Sequence, residues 1–162
     1  MHTLVLPTVP KPNPPRVLLS AAWPAAKAHA TDNDEACAAK AAFTPFGGTI
    51  HADALASLIS ATGMNGLGVV AKLIVRRRVV SVPIAGNYWL PAFQFNKSTW
   101  TLRTAVSRVL RELTPVMADV EIAHWFASPN DWLERACPAE ALLAQSLEVV
   151  QAARVQRFVC SI

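Results

Sequence analysis

The chain reads as mainly α, with a helix-turn-helix-like module that carries a short, wing-like β-hairpin, followed by a small helical domain. Three observations lead to that reading. Apolar residues recur at helical spacing over most of residues 32–158. The exception is residues 79–95, VVSVPIAGNYWLPAFQF, where two short apolar runs flank Ala85-Gly86-Asn87 in the manner of a hairpin. Charge also divides about this stretch. Residues 64–112 hold eight Lys and Arg against Glu112 alone, a balance of +7, whereas residues 113–162 sum to −3 and the first 63 residues to zero.

Residues 1–31 form an arm ahead of the module. Pro7, Pro10, Pro12, Pro14 and Pro15 give its start an extended, polyproline character. Residues 17–29 are alanine-rich and read as a short packed segment that Pro24 breaks. The module spans residues 32–95. Asp32 or Asp34 caps a helix ending at Phe43, and residues 44–48 are a loop. Thr49 or His51 then opens a helix to Ala61 whose apolar face is Ile50, Leu55, Leu58 and Ile59. Residues 62–65 break the chain, and a second helix is expected over residues 65–76, with Leu67, Val70, Ala71 and Ile74 at helical spacing. Two helices joined by a short glycine-containing turn make the frame of a helix-turn-helix, and the hairpin over residues 79–90 is then the wing. Pro91 ends the hairpin because it has no N–H for a strand ladder. Phe93 and Phe95 read as core anchors. Gln94 between them either reads a base edge or ties down buried backbone groups.

Residues 96–162 form the helical domain. Thr99 or Thr101 caps a helix over residues 102–113 that turns Val106, Val109, Leu110 and Leu113 inward and Arg103, Arg108 and Arg111 outward. Further helices are expected over residues 119–126, over residues 138–144 with Pro138 in the first turn, and over residues 146–158. Leu142, Leu143 and Phe158 are expected among the anchors.

At 162 residues and 52% apolar, the chain suits one domain or two very small ones. Prolines interrupt its sparsely charged start, so neither a membrane span nor a signal peptide is expected, and a cytoplasmic protein is. Cys37, Cys137 and Cys160 have no metal-ligand spacing, alone or with His29, His51 and His124. Buried thiols are expected, with no metal and no other cofactor.

The candidate DNA-contacting residues are Asn65, Lys72 and Arg76 on the second helix, and Arg77 and Arg78 at its end. Arginine pairs bidentately with guanine or clamps phosphate, and a basic surface suits a polyanion. The alternative is a plain helical hairpin with a solvated basic end. Gly66 and Gly68 each cost a helix about 1 kcal/mol relative to Ala.

Leu90-Pro91-Ala92-Phe93-Gln94-Phe95, then Ile122-Ala123-His124-Trp125-Phe126-Ala127-Ser128-Pro129-Asn130, then Leu133, then Cys137-Pro138-Ala139-Glu140-Ala141-Leu142-Leu143 follow one another in an order that resembles the Xre/MbcA/ParS toxin-binding domain. The resemblance covers about residues 88–158. It implies the C-terminal domain of an antitoxin whose partner is a RES-domain toxin acting on NAD. It also implies a dimer or higher oligomer that binds its own operator through an N-terminal helix-turn-helix and covers the toxin's cleft with the C-terminal helices. Carried onto this chain, the implied toxin contacts are Trp125, Asn130, Trp132, Leu133, Pro138 and the last helix with Arg154. One departure stands out. The run Asp131-Trp132-Leu133-Glu134-Arg135-Ala136 lacks the glycine that the family usually has near this leucine. The loop must avoid positive φ or place another residue there. The N-terminal half has no matching repressor sequence, so a stand-alone regulator is the other form of this reading.

The chain has no nucleophile elbow, phosphate-binding glycine loop or metal quartet, and Glu121 and His124 read as neighbours on a helix surface. Catalysis is not expected. The leading expectation is a homo-oligomeric antitoxin or transcriptional regulator that binds double-stranded operator DNA and a toxin. The other is a protein-interaction module or structural adaptor without DNA binding.

Overall fold

The computed structural model describes residues 32–84 and 86–162, so the proline-rich arm, the segment of residues 17–29 and Ala85 of the hairpin turn lie outside the described residues. The chain runs through α1 (Asp32–Ala42), β1 (Thr49–His51), α2 (Ala52–Ser60), α3 (Gly66–Val75), β2 (Val82–Ile84), β3 (Asn87–Pro91), α4 (Thr104–Leu113), α5 (Asp119–Ala127), α6 (Pro138–Ala141) and α7 (Ser146–Cys160). The fold is mainly α, with a three-stranded antiparallel sheet in the order β1-β3-β2.

The strand β1 replaces the expected start of a helix. Thr49, Ile50 and His51 pair with Pro91, Leu90 and Trp89, which gives the inner edge of β3 a partner that periodicity within residues 49–61 does not reveal. His51 still helps to start α2, because its Nδ1 accepts a hydrogen bond from Asp53 N at 3.2 Å. The helix α3 matches its expected bounds. Asn65 Oδ1 caps it by accepting from Gly68 N at 3.0 Å, and Arg76 closes it. Gly66 has a packing reason: a Cβ there would lie 1.9 Å from Ala56 O. Only glycine lets α3 cross α2 this closely, and this offsets its weak helix propensity.

Two apolar clusters form the core. The smaller lies among α2, α3 and β3, with Leu55, Ala56, Ile59, Val70, Val79, Leu90 and Phe95. The larger gathers α4 to α7 and also takes Ala39 from α1, Phe43 just after it, Val80, Val82 and Phe93. The expected boundary between residues 95 and 96 therefore does not divide the core, since α1 packs with the helices of the second half. Phe43 stacks on Phe93 with centroids 5.8 Å apart, and Phe93 meets Phe126 at 5.0 Å. On the sheet, Lys40 Nζ sits 3.4 Å above the Trp89 ring, and His51 meets the same ring edge-on.

Phe93 and Phe95 thus anchor different clusters, and Gln94 between them is fully buried. Its Oε1 accepts from Val80 N at 2.6 Å, and its Nε2 donates to Val80 O at 2.9 Å and Pro91 O at 3.1 Å. Its amide does the backbone-tying job and faces no solvent. Beyond it, Thr99 and Thr101 bond each other through their hydroxyls at 2.7 Å and do not cap α4. The loop closes instead on Asn96, whose O accepts from Trp100 N and whose N donates to Thr101 O. α4 begins only at Thr104, without a side-chain cap.

Substituting Gln94→Leu leaves Val80 N, Val80 O and Pro91 O without partners in a dry interior. At about 1–3 kcal/mol for each buried group left unsatisfied, the variant should lose roughly 3 kcal/mol or more in urea denaturation. A loss under about 1 kcal/mol would show that the amide is dispensable.

Candidate functional site

The basic end of α3 contains two kinds of arginine. Lys72, Arg76 and Arg78 are exposed, and none has a carboxylate partner among the described residues. Arg77 turns inward. Its backbone is left-handed, with φ 50°. Its Nε donates to Asp119 Oδ1 at 2.6 Å, its Nη1 to Thr114 O at 2.8 Å and its Nη2 to Met117 O at 2.7 Å. Those carbonyls end α4 and lead into α5, where a cation satisfies orphan acceptors and opposes the negative end of the helix dipole. Asp119 opens α5. All three guanidinium nitrogens are engaged, so Arg77 is an internal clamp. Of the five candidate DNA contacts, Lys72, Arg76 and Arg78 present free charge at the surface. Asn65 is also exposed, but its side-chain oxygen is occupied as the cap of α3.

Apart from Lys72, the outer face of α3 is apolar. Leu67 is 66% exposed and Val75 82%, with Met64 exposed just before the helix. Helical spacing groups Leu67 and Ala71 with Val70 and Ile74. The close crossing at Gly66 sets the rotation of the helix, so that Gly66 and Val70 face inward and Leu67 and Ala71 outward. Leu58 is likewise partly exposed at the far side of α2.

The fold brings further arginines near this region. Arg108 and Arg111 lie on the outer face of α4. Glu112, on the same helix, accepts from Arg154 Nε at 3.3 Å and Arg157 Nη1 at 3.1 Å, which ties α7 to α4. Arg103 instead donates through Nε to Phe93 O at 3.1 Å.

The six implied partner contacts separate by burial. Trp125, Leu133 and Pro138 lie in the interior. Asn130 organises its loop: its N donates to Ala136 O, its O accepts from Leu133 N and Arg135 N, and its Oδ1 accepts from Trp132 N at 2.9 Å. Trp132, 57% exposed, and Arg154 are at the surface. Leu143 and Phe158, expected as anchors, are instead exposed, as is Leu147. Periodicity over a short helix such as α6 does not separate Leu142, which is buried, from its neighbour. The missing glycine leaves a visible mark, because Glu134 and Arg135 adopt φ 53° and 72°. The loop keeps the left-handed turn with non-glycine residues, held by the Asn130 bonds and by an exposed Arg135–Asp131 pair at 3.1 Å.

Glu121 Oε2 accepts from Ala118 N at 2.6 Å and so serves the start of α5. His124 lies near Ser128 Oγ, 3.2 Å from Nε2, and burial pushes its pKa down. The Cys137 thiol is pushed up by burial and, less, by Glu140, which keeps it neutral while Sγ donates to Ala127 O. Cys37 and Cys160 are exposed, against the expectation of buried thiols. Among the described residues no group of three His, Cys, Asp or Glu is placed to hold a metal ion, and no helix is long and apolar enough to cross a membrane.

Comparison with protein-family models, curated proteins and solved structures gives no match.

Arg77→Ala should destabilise the chain by about 1–3 kcal/mol. The two carbonyl bonds account for most of this, because the Asp119 pair is partly exposed and screened. Arg76→Ala and Arg78→Ala should stay within about 0.5 kcal/mol of the parent. Equal losses at all three positions in chemical denaturation would contradict this division. Glu134→Gly should stabilise by about 0.5–1 kcal/mol through relief of the left-handed backbone, read as a raised denaturation midpoint.

Proposed function

We propose that the chain is a non-catalytic, DNA-binding regulator of the antitoxin kind, which holds duplex DNA at the α3 end and binds a partner protein through its second half. The observation that carries this reading is a pair of helices, α2 and α3, joined by a tight turn and flanked by the β2–β3 hairpin, with Lys72, Arg76 and Arg78 unneutralised where the second helix ends. In this reading the hairpin is a wing, and the three cations contact phosphate or guanine. Phosphate contacts supply most of the affinity and position the module on the duplex. The protein is a homo-oligomer, because a twofold operator matches a twofold protein.

The partner is a RES-type toxin, on the strength of the motif resemblance over residues 90–143. Trp132 and Arg154 remain its candidate contacts, joined by Leu143, Leu147 and Phe158, whose exposure supports a docking role.

A second reading has its own observation. The outward face of α3, with Leu67 and Val75, is apolar apart from Lys72, where a DNA-reading helix usually carries several polar side chains. That favours a protein-interaction module without DNA binding. A gel shift with the DNA upstream of its own gene separates the two. The regulator reading expects a retarded complex that weakens at least tenfold in Arg76→Ala/Arg78→Ala, while the other expects no complex at moderate salt. Co-purification with the product of the adjacent gene tests the antitoxin arm, and Trp132→Ala should weaken that capture.

A further inference from the structure

Resting on the DNA-binding reading, we infer that the phosphate-contacting surface continues from α3 along α4, with Arg108 and Arg111 as additional contacts to the duplex backbone. The helix α4 buries Val106, Val109, Leu110 and Leu113, which leaves Arg108 and Arg111 on its solvent side. Neither has a carboxylate partner among the described residues. Arg108, Arg111 and Thr114 fall in one i, i+3 row, since Thr114 keeps helical dihedrals of φ −59° and ψ −27°. Such a row spans about 9 Å at 1.5 Å per residue. The Arg77 guanidinium meets its far end through Thr114 O at 2.8 Å. The C-terminal end of α4 is thus tied to the residue between Arg76 and Arg78.

The nearby carboxylates do not cancel this charge. Asp119 accepts from Arg77, and Glu112 is shared by Arg154 and Arg157. Asp119 and Glu112 are thus matched or outnumbered by their own arginines, Glu121 is engaged by Ala118 N, and none of the three pairs with Arg76, Arg78, Arg108 or Arg111. Guanidinium forks pair with phosphate oxygens better than with any neutral surface, and a duplex offers closely spaced phosphates along its backbone. The ligand that fits is the backbone of double-stranded DNA, with no requirement for base sequence along α4.

The test is anisotropy of a labelled mixed-sequence duplex titrated with the full chain over roughly 50–200 mM salt. Each lost phosphate contact should make the log–log salt slope shallower by about 0.9. Arg108→Ala/Arg111→Ala should therefore reduce the slope by about 1.8 and weaken low-salt binding roughly tenfold or more, with an unchanged melting midpoint. Arg108→Lys/Arg111→Lys should restore most of the slope. If Arg76→Ala/Arg78→Ala weakens binding and the α4 pair changes neither slope nor affinity, the inference is overturned and the DNA-binding reading stands. If the parent chain fails to bind the duplex, the reading itself fails and the inference falls with it. Should the alanine pair lower the melting midpoint, Arg108→Gln/Arg111→Gln, which keeps the side-chain stems, must show the same slope change, or the inference is wrong.

Discussion

A single buried amide holds the fold together at its centre. Gln94 lies between Phe93, which belongs to the larger cluster, and Phe95, which belongs to the smaller. Through Val80 it closes the backbone across the start of the hairpin, much as a strand partner would. Val79 and Val80 enter different clusters in the same way. The 3-10 turn over Ala92–Gln94 parts Phe93 from Phe95, and the amide links this turn to Val80. A polar group buried this deeply is tolerated only when its hydrogen-bonding capacity is used, and three of its bonds go to main chain. The two clusters therefore share a wall, and Phe43, the residue that follows α1, reinforces it by stacking on Phe93.

Arg77 plays a comparable part at the edge. A run of three arginines looks uniform in the sequence, yet the middle one leaves the helix in a left-handed conformation and enters the joint between α4 and α5. Its neighbours then point away into solvent. This division follows from backbone direction, and it separates residues that hold the fold from residues free to meet a ligand. Glu112 acts in the same way on the other side of α4, collecting Arg154 and Arg157.

Much of the fold was legible in the sequence where the signal was local. The bounds of α3, the start of α5, the hairpin and the role of Gln94 all follow from caps, periodicity and the company of Phe93 and Phe95. The strand β1 was not legible, because its reason for existing is the edge of β3, some forty residues away. The inward turn of Arg77 depends on carbonyls equally remote, and so does the sharing of Glu112. The burial of Trp125, Leu133 and Pro138 is decided by how the second-half helices pack, which motif resemblance does not encode. The rotation of α3 was hidden for a subtler reason. Gly66 reads as a weak point for a helix in isolation, whereas its value lies in the distance to Ala56 O. The doubled left-handed turn at Glu134 and Arg135 was half visible, as a position where glycine would be expected and is not found.

The clamp at Arg77 also bears on the entropy of any binding event. Arg76 and Arg78 hang from backbone that is bonded on both sides, with Arg76 N to Lys72 O and Arg78 N to Leu73 O, around a guanidinium fixed to another helix. Backbone freedom worth about 1–2 kcal/mol per residue has thus already been lost in folding. A ligand that engages these two side chains has only their rotamers left to restrain, so a small number of contacts at this surface yields more net affinity than the same arginines would on a flexible tail.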